Sequence, residues 1–232
     1  MKLYHGSKEI VRKPIYGFGK KNNDYGLGFY CTNSLELASE WAVSMTNDGY
    51  TNVYELDDKE LRILNLNDGK YCILHWLALL LKNRTFEIST PQSKEAREYI
   101  LNNFLIDVNE YDVVIGYRAD DSYFAFANDF INGIITYNQL KKAMMLGELG
   151  IQIVLISEKS FNSINFIDSY KALKSKYLIS KINRDRKVRN EYLYSELMKR
   201  IKGDINIFNI IDEEMKENDP RLRWNIYAVS TT

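Results

Sequence analysis

Two short apolar runs broken by small residues constrain this chain more than any other feature. L-Y-H-G-S occupies residues 3–7, and D-Y-G-L-G-F-Y-C-T occupies 24–32. The first ends on a histidine, a glycine and a hydroxyl. The second sets Gly26 and Gly28 ahead of an aromatic pair and bends the chain into a strand. A glycine in a strand pattern marks a bend or a close approach by a ligand or another backbone. The two segments therefore read as short strands flanking a nucleotide pocket.

The remaining chain supports a mixed layout without long parallel crossovers. Strand-like segments fall at 2–5, 28–32, 52–56, 113–117 and 151–157, and helix-like segments at 34–45, 70–81, 93–103, 122–131 and 137–146. Ser34 is placed to cap the first helix, with Leu37, Ala38 and Trp41 on one face. At 232 residues, with 45% hydrophobic and 27% charged side chains, the chain is large enough for one substantial core plus a helical appendage. The expected division is a domain at 1–168 and a basic helical extension at 169–232.

Net charge is zero, but residues 171–202 carry eleven Lys or Arg against three acids. Leu173, Tyr177, Leu178 and Ile182, then Val188, Tyr192, Leu193 and Leu197, recur at three and four residues, the period of an amphipathic helix. Such a face can simply be solvated, or it can be an electrostatic footprint for nucleic acid or an acidic partner.

Several function classes are disfavoured. Cys31 and Cys72 make no disulfide framework, and no signal peptide is visible. The longest apolar run, 73–81, is interrupted by His75 and too short to span a bilayer, so a cytoplasmic protein is expected. Two histidines without clustered cysteines or acids give no metal site and no Ser-His-Asp arrangement. Y-G-F-G-K-K at 16–21 lacks the full phosphate-loop pattern. His75, inside an apolar helix, reads as structural.

The order and spacing of the two N-terminal motifs resemble the NAD site of ADP-ribosyltransferases of the diphtheria-toxin and poly(ADP-ribose) polymerase type. The resemblance implies an α+β fold: an ADP-ribosyltransferase-like split β-sheet core with surrounding helices and a C-terminal helical extension. It implies NAD as substrate, no metal, and mono-ADP-ribosyl transfer to a macromolecule. His5 would bond a ribose hydroxyl of the adenosine half. The backbone of Gly6 would clamp the nicotinamide carboxamide, with no side chain so that the ligand can approach. Ser7 completes the signature, Gly28 shapes the second motif, and Tyr30 would stack on the nicotinamide. Trp41, eleven positions after Tyr30, would take the opposite ring face. The family's serine eight positions after its tyrosine is Ala38 here, so Ser34 or Ser39 would have to supply that hydroxyl.

Gln152 stands where the family places glutamate. Glutamine keeps a hydrogen bond to the nicotinamide ribose but carries no charge for the developing cation and cannot act as a general base. Either orientation alone suffices, or a carboxylate comes from Glu148, Asp120 or Asp121. The full chain also resembles a bacterial family of small ADP-ribosyltransferase-like domains found beside small partner proteins in toxin and antitoxin arrangements. That resemblance rests on the glutamine variant, on R-A-D-D-S-Y-F at 118–124, and on R-D-x-x-x-R-x-x-Y at 184–192. It adds Arg118 and Asp121 as ligand-binding candidates and a small antitoxin as a possible partner. The acceptor, whether protein, RNA or DNA, is left open. A catalytically weak module that binds NAD, ADP-ribose or a partner is the alternative.

Overall fold

Strand pairing sorts the chain into two sheets. The computed structural model describes residues 1–119, 121–144, 150–194 and 203–223, without the side chains of 121–123, 185, 188, 189 and 191–194. Asp120, Glu148, Leu146 and Leu197 lie outside the described residues, as do the side chains of Asp121, Val188, Tyr192 and Leu193. In chain order the elements begin with β1 (Lys2–Ser7), β2 (Phe29–Cys31), α1 (Leu35–Ala42), β3 (Gly49–Leu56) and β4 (Ile63–Asn65). There follow α2 (Ile73–Asn83), α3 (Pro91–Phe104), β5 (Val113–Tyr117), α4 (Asp121–Ile131) and α5 (Tyr137–Ala143). The last group is β6 (Ile151–Leu155), α6 (Glu158–Asn162), β7 (Ile164–Ala172), α7 (Lys174–Tyr194) and α8 (Ile207–Asp212). The protein is thus α+β.

One sheet has the order β1-β3-β7 and is antiparallel; the other has the order β2-β6-β5-β4, with only the β4–β5 pair parallel. A bridge between Tyr4 and Thr32 joins them. Alternation along the strands then builds two cores. Val113 and Ile115 of β5 and Ile151, Ile153 and Leu155 of β6 meet Leu3, Cys31, Tyr54 and Leu56 between the sheets. Val114 and Val154, on the opposite face, pack under the helices with Trp76, Leu77, Phe126 and Leu140. Helix α2 is buried over 73–81, as an all-round apolar helix must be.

Local signals set most boundaries. The Ser34 side chain accepts from Leu37 N–H at 3.3 Å, as expected of the cap of α1. The helix stops at Ala42 rather than continuing to residue 45, because Ser44 N–H instead donates to Asn47 O at 3.1 Å and turns the chain into β3. The strand expected over 151–157 ends at Leu155, since Ser157 caps the unanticipated helix α6 and its hydroxyl donates to Asp112 at 2.6 Å. Strands β4 and β7 had no distinct signature: β4 is three residues long, and β7 is an edge strand largely open to solvent. Strand β7 pairs with β3 through Ala172, so the boundary drawn after residue 168 falls inside a strand and corrects to its end.

Gly6 corrects another expectation. Helix α1 lies so close on β1 that a Cβ at Gly6 would collide with the carbonyl oxygen of Ala38. The missing side chain serves strand–helix packing, and Gly6 does not line the cleft described below.

Candidate functional site

A cleft of about 840 Å³ opens where the two sheets meet, within the roughly 300–1,000 Å³ typical of small-molecule sites. His5, Ser7, Gly28, Tyr30, Trp41, Arg118 and Gln152 all line it. The chain segment before β2 contributes Val11, Lys13 and Phe18 to its wall.

The strand register explains the convergence. Tyr30 faces Val154 across the β2–β6 ladder, and Gln152 lies two residues further along β6, so both project from the same face. Gln152 is itself opposite Gly116 of β5, where the Tyr25 hydroxyl fills the space a side chain would take. His5 continues the inward row begun by Leu3 on β1, and its ring packs on Phe29 with centroids 4.4 Å apart. Its Nδ1–H donates to the Tyr30 carbonyl at 2.7 Å, which leaves Nε2 as an acceptor. Burial holds the imidazole pKa below 6.5, opposed by that hydrogen bond, so the ring is neutral at neutral pH.

Tyr30 is locked by its own hydroxyl, which accepts from Tyr25 N–H at 3.0 Å and donates to Gly26 O at 2.7 Å. Gly26 has φ 78°, a conformation that other residues adopt only with strain. Burial pushes the Tyr30 phenol well above its ordinary pKa, so it stays protonated. The ring, rather than the hydroxyl, is what Tyr30 can offer a ligand.

Beside these residues lie two unmet polar groups. Gln152 is 8% exposed, yet its Oε1 has no hydrogen-bond partner among the described residues, and neither has Nε1 of Trp41. The Arg118 guanidinium sits 5.2 Å from the Trp41 ring centroid and forms no ion pair among the described residues. One face of that indole is therefore covered by a cation, a geometry the spacing from Tyr30 did not suggest. Ser34 and Ser39 do not replace the hydroxyl missing at Ala38: Ser34 caps α1, and Ser39 is buried against Leu35 O and Thr51. Ser7 is mostly committed to the loop, donating to Glu9 O at 2.6 Å and accepting from Asn52 at 2.8 Å. Asp121 opens α4, with its side chain outside the described residues.

Several contributors escaped the motif reading. Asp24, the sole carboxylate lining the cleft among the described residues, accepts from Arg84 at 3.1 Å and from Ala119 N–H at 2.9 Å. It stood in view as the first letter of D-Y-G-L-G. Its partners lie 60 and 95 residues away, so no local pattern could assign them. Fully buried Asn52 bonds His5 O, Ser7 Oγ and Val11 N–H, tying β1 to the loop that walls the cleft. An amide beside Thr51 in a strand-like segment was its only signal. Lys181, from α7, also reaches the cleft. His75 lies in the helical layer, where its Nδ1 accepts from Cys72 N–H at 3.1 Å in a capping box, in keeping with a structural role.

Among the described residues no group of His, Cys, Asp or Glu could hold a metal ion, and no helix is long and apolar enough to cross a membrane. The cleft can accept an elongated ligand with aromatic and anionic parts. Rings are available at Phe18, Phe29, Tyr30 and Trp41, and cations without an acidic partner among the described residues at Lys13, Arg118 and Lys181.

No curated protein and no solved structure matches the chain. One family model matches residues 1–166, which include β1 to β6 and every cleft residue except Lys181. On that match the chain belongs to the family described as "Protein of unknown function (DUF3990)".

Proposed function

We propose that the cleft binds NAD and that the protein is a mono-ADP-ribosyltransferase with an ADP-ribosyltransferase-like split-sheet core. The observation that carries this reading is the convergence of His5, Tyr30, Trp41 and Gln152 on one cationic cleft, with the Gln152 carbonyl oxygen unbonded. Those residues come from three strands and a helix, and no local constraint obliged them to meet.

In this reading Tyr30 and Trp41 orient the nicotinamide and His5 Nε2 accepts from a ribose hydroxyl of the adenosine half. Gln152 bonds a hydroxyl of the reacting ribose. The bond between ribose C1′ and the nicotinamide nitrogen breaks, and its electron pair leaves with nicotinamide, now neutral. The positive charge on the ribose is closed by an acceptor nucleophile, which loses its proton to solvent. Gln152 contributes a dipole rather than a charge to that cation. Water as acceptor would give NAD hydrolysis. The basic extension suits a nucleic-acid acceptor or an acidic partner, a small antitoxin among them, and a site in the cytoplasm, where NAD is plentiful.

A second reading is favoured by one observation. The only carboxylate in the described cleft, Asp24, is engaged by Arg84 and Ala119, so among the described residues no uncommitted carboxylate is at hand as a general base. A domain that binds NAD or ADP-ribose without turnover fits that arrangement. Incubating the chain with labelled NAD and bacterial lysate, with and without Tyr30→Ala, separates the two. Tyr30-dependent label lost to protease or to nuclease supports transfer and identifies the acceptor class. Intact NAD with no label, despite measurable binding, leaves the binding module.

A further inference from the structure

We propose that the C-terminal extension, beyond the residues matched by the family model, completes the cleft by supplying Lys181 as a binding residue for a ligand diphosphate. The nucleotide nature of the ligand rests on the NAD reading; the anion does not.

Helix α7 is fixed to α1 by a partly buried ion pair. Arg184 Nε and Nη2 donate to the two oxygens of Glu40 at 3.1 and 3.0 Å, and Glu40 is 3% exposed. A fork of this kind sets the rotation and height of one helix on the other. Lys181 lies three residues before Arg184 and so on the same face of α7. Its Nζ donates to Val43 O, just past the end of α1, at 3.4 Å and borders the cleft. An ammonium has three donors, and this long bond uses one.

Glu40 is also the neighbour of Trp41, on which Arg118 rests. One helix end thereby holds two cations at the cleft, Lys181 through the backbone and Arg118 through the indole. Neither has an acidic partner among the described residues, because Asp24 is committed to Arg84. A lysine at a helix C-terminus is favoured by the helix dipole. That accounts for Lys181 as a cap but not for Arg118, nor for the unbonded polar atoms of Trp41 and Gln152 beside it. An anion at this point, with the rest of the ligand against Trp41 and Gln152, accounts for all four.

The two roles differ in what they move. Titration calorimetry of the full chain with NAD, ADP-ribose, adenosine and inorganic pyrophosphate tests them, using wild type, Lys181→Met, Lys181→Arg and, as an off-cleft control on the same helix, Lys176→Met. Lys181→Met is expected to weaken ADP-ribose binding at least tenfold, leave adenosine unchanged and flatten the salt dependence. Lys181→Arg should retain most of the affinity and Lys176→Met all of it. Unchanged ADP-ribose affinity in Lys181→Met, with or without a lower melting temperature, overturns the assignment while the NAD reading stands. Lys181-dependent binding of pyrophosphate without binding of ADP-ribose or NAD upholds the assignment and removes the NAD reading. Failure of the wild type to bind any of these removes both.

Discussion

The helical layer and the cleft share one face of the β2-β6-β5-β4 sheet and differ in how densely unmet polar and charged groups gather there. Under the helices, Val114 and Val154 are covered by apolar side chains, Trp76 Nε1–H donates to Tyr117 O at 3.2 Å and His75 joins a capping box, while the Asn128 Oδ1 of α4 is unpartnered among the described residues. Two residues along β6, Gln152 has an unbonded oxygen, Trp41 an unbonded N–H, and Arg118 and Lys181 no counter-charge among the described residues. Leaving a buried polar group unmet costs about 1–3 kcal/mol. The cleft is thus one place where the fold gives up stability, and a ligand that supplied the missing partners there would return it.

Three substitutions test that contrast, beginning with the largest effect. Leu77→Ala, in the fully buried centre of α2, should cost about 2–5 kcal/mol in denaturant unfolding and leave ligand affinity nearly unchanged. A loss below about 1 kcal/mol would mean that the helical layer is not the stabilising half.

His5 should give an intermediate, pH-dependent effect. Its folded pKa lies below 6.5, so the unfolded chain binds more protons between the two values. The stability it contributes is complete above about pH 6.5 and falls as pH drops through the folded value. In His5→Gln that part of the acid sensitivity should disappear from melting curves taken between pH 7 and pH 5; an unaltered slope would show that His5 is not held neutral by burial.

Gln152→Leu should give the smallest stability change, within about 0.5 kcal/mol or slightly stabilising, because it removes an unmet acceptor. The same substitution should abolish NAD binding measured by calorimetry. A large destabilisation would mean that Gln152 belongs with the core rather than with the cleft.

Legibility in the sequence followed the range of the interaction. The cap at Ser34, the apolar helix α2 and the strands β1, β2, β5 and β6 were readable because their signals repeat within a few residues. The cleft residues are singled out differently: a resemblance in order and spacing points to His5, Tyr30, Trp41 and Gln152, and the fold brings all four to one cleft. Edge strand β7 was not readable, since solvent rather than packing selects its residues. Gly6 was legible as a required glycine but not as one required by Ala38, because the sequence shows that a side chain is forbidden and not what forbids it.

By itself the sequence determined the local pieces: which segments extend, which coil, where the small residues stand, and the parity that puts alternate side chains of β6 on opposite faces. Only the tertiary structure decided that Asp24 is neutralised by Arg84, that Glu40 holds Arg184 across 144 residues, and that Lys181 therefore reaches a cleft built from the other end of the chain. The reason is physical. Helical and strand periodicity act over a turn or a pleat and leave a trace in composition, whereas a buried charge needs a partner of opposite sign at about 3 Å from anywhere in the chain, and nothing near it in sequence records which one.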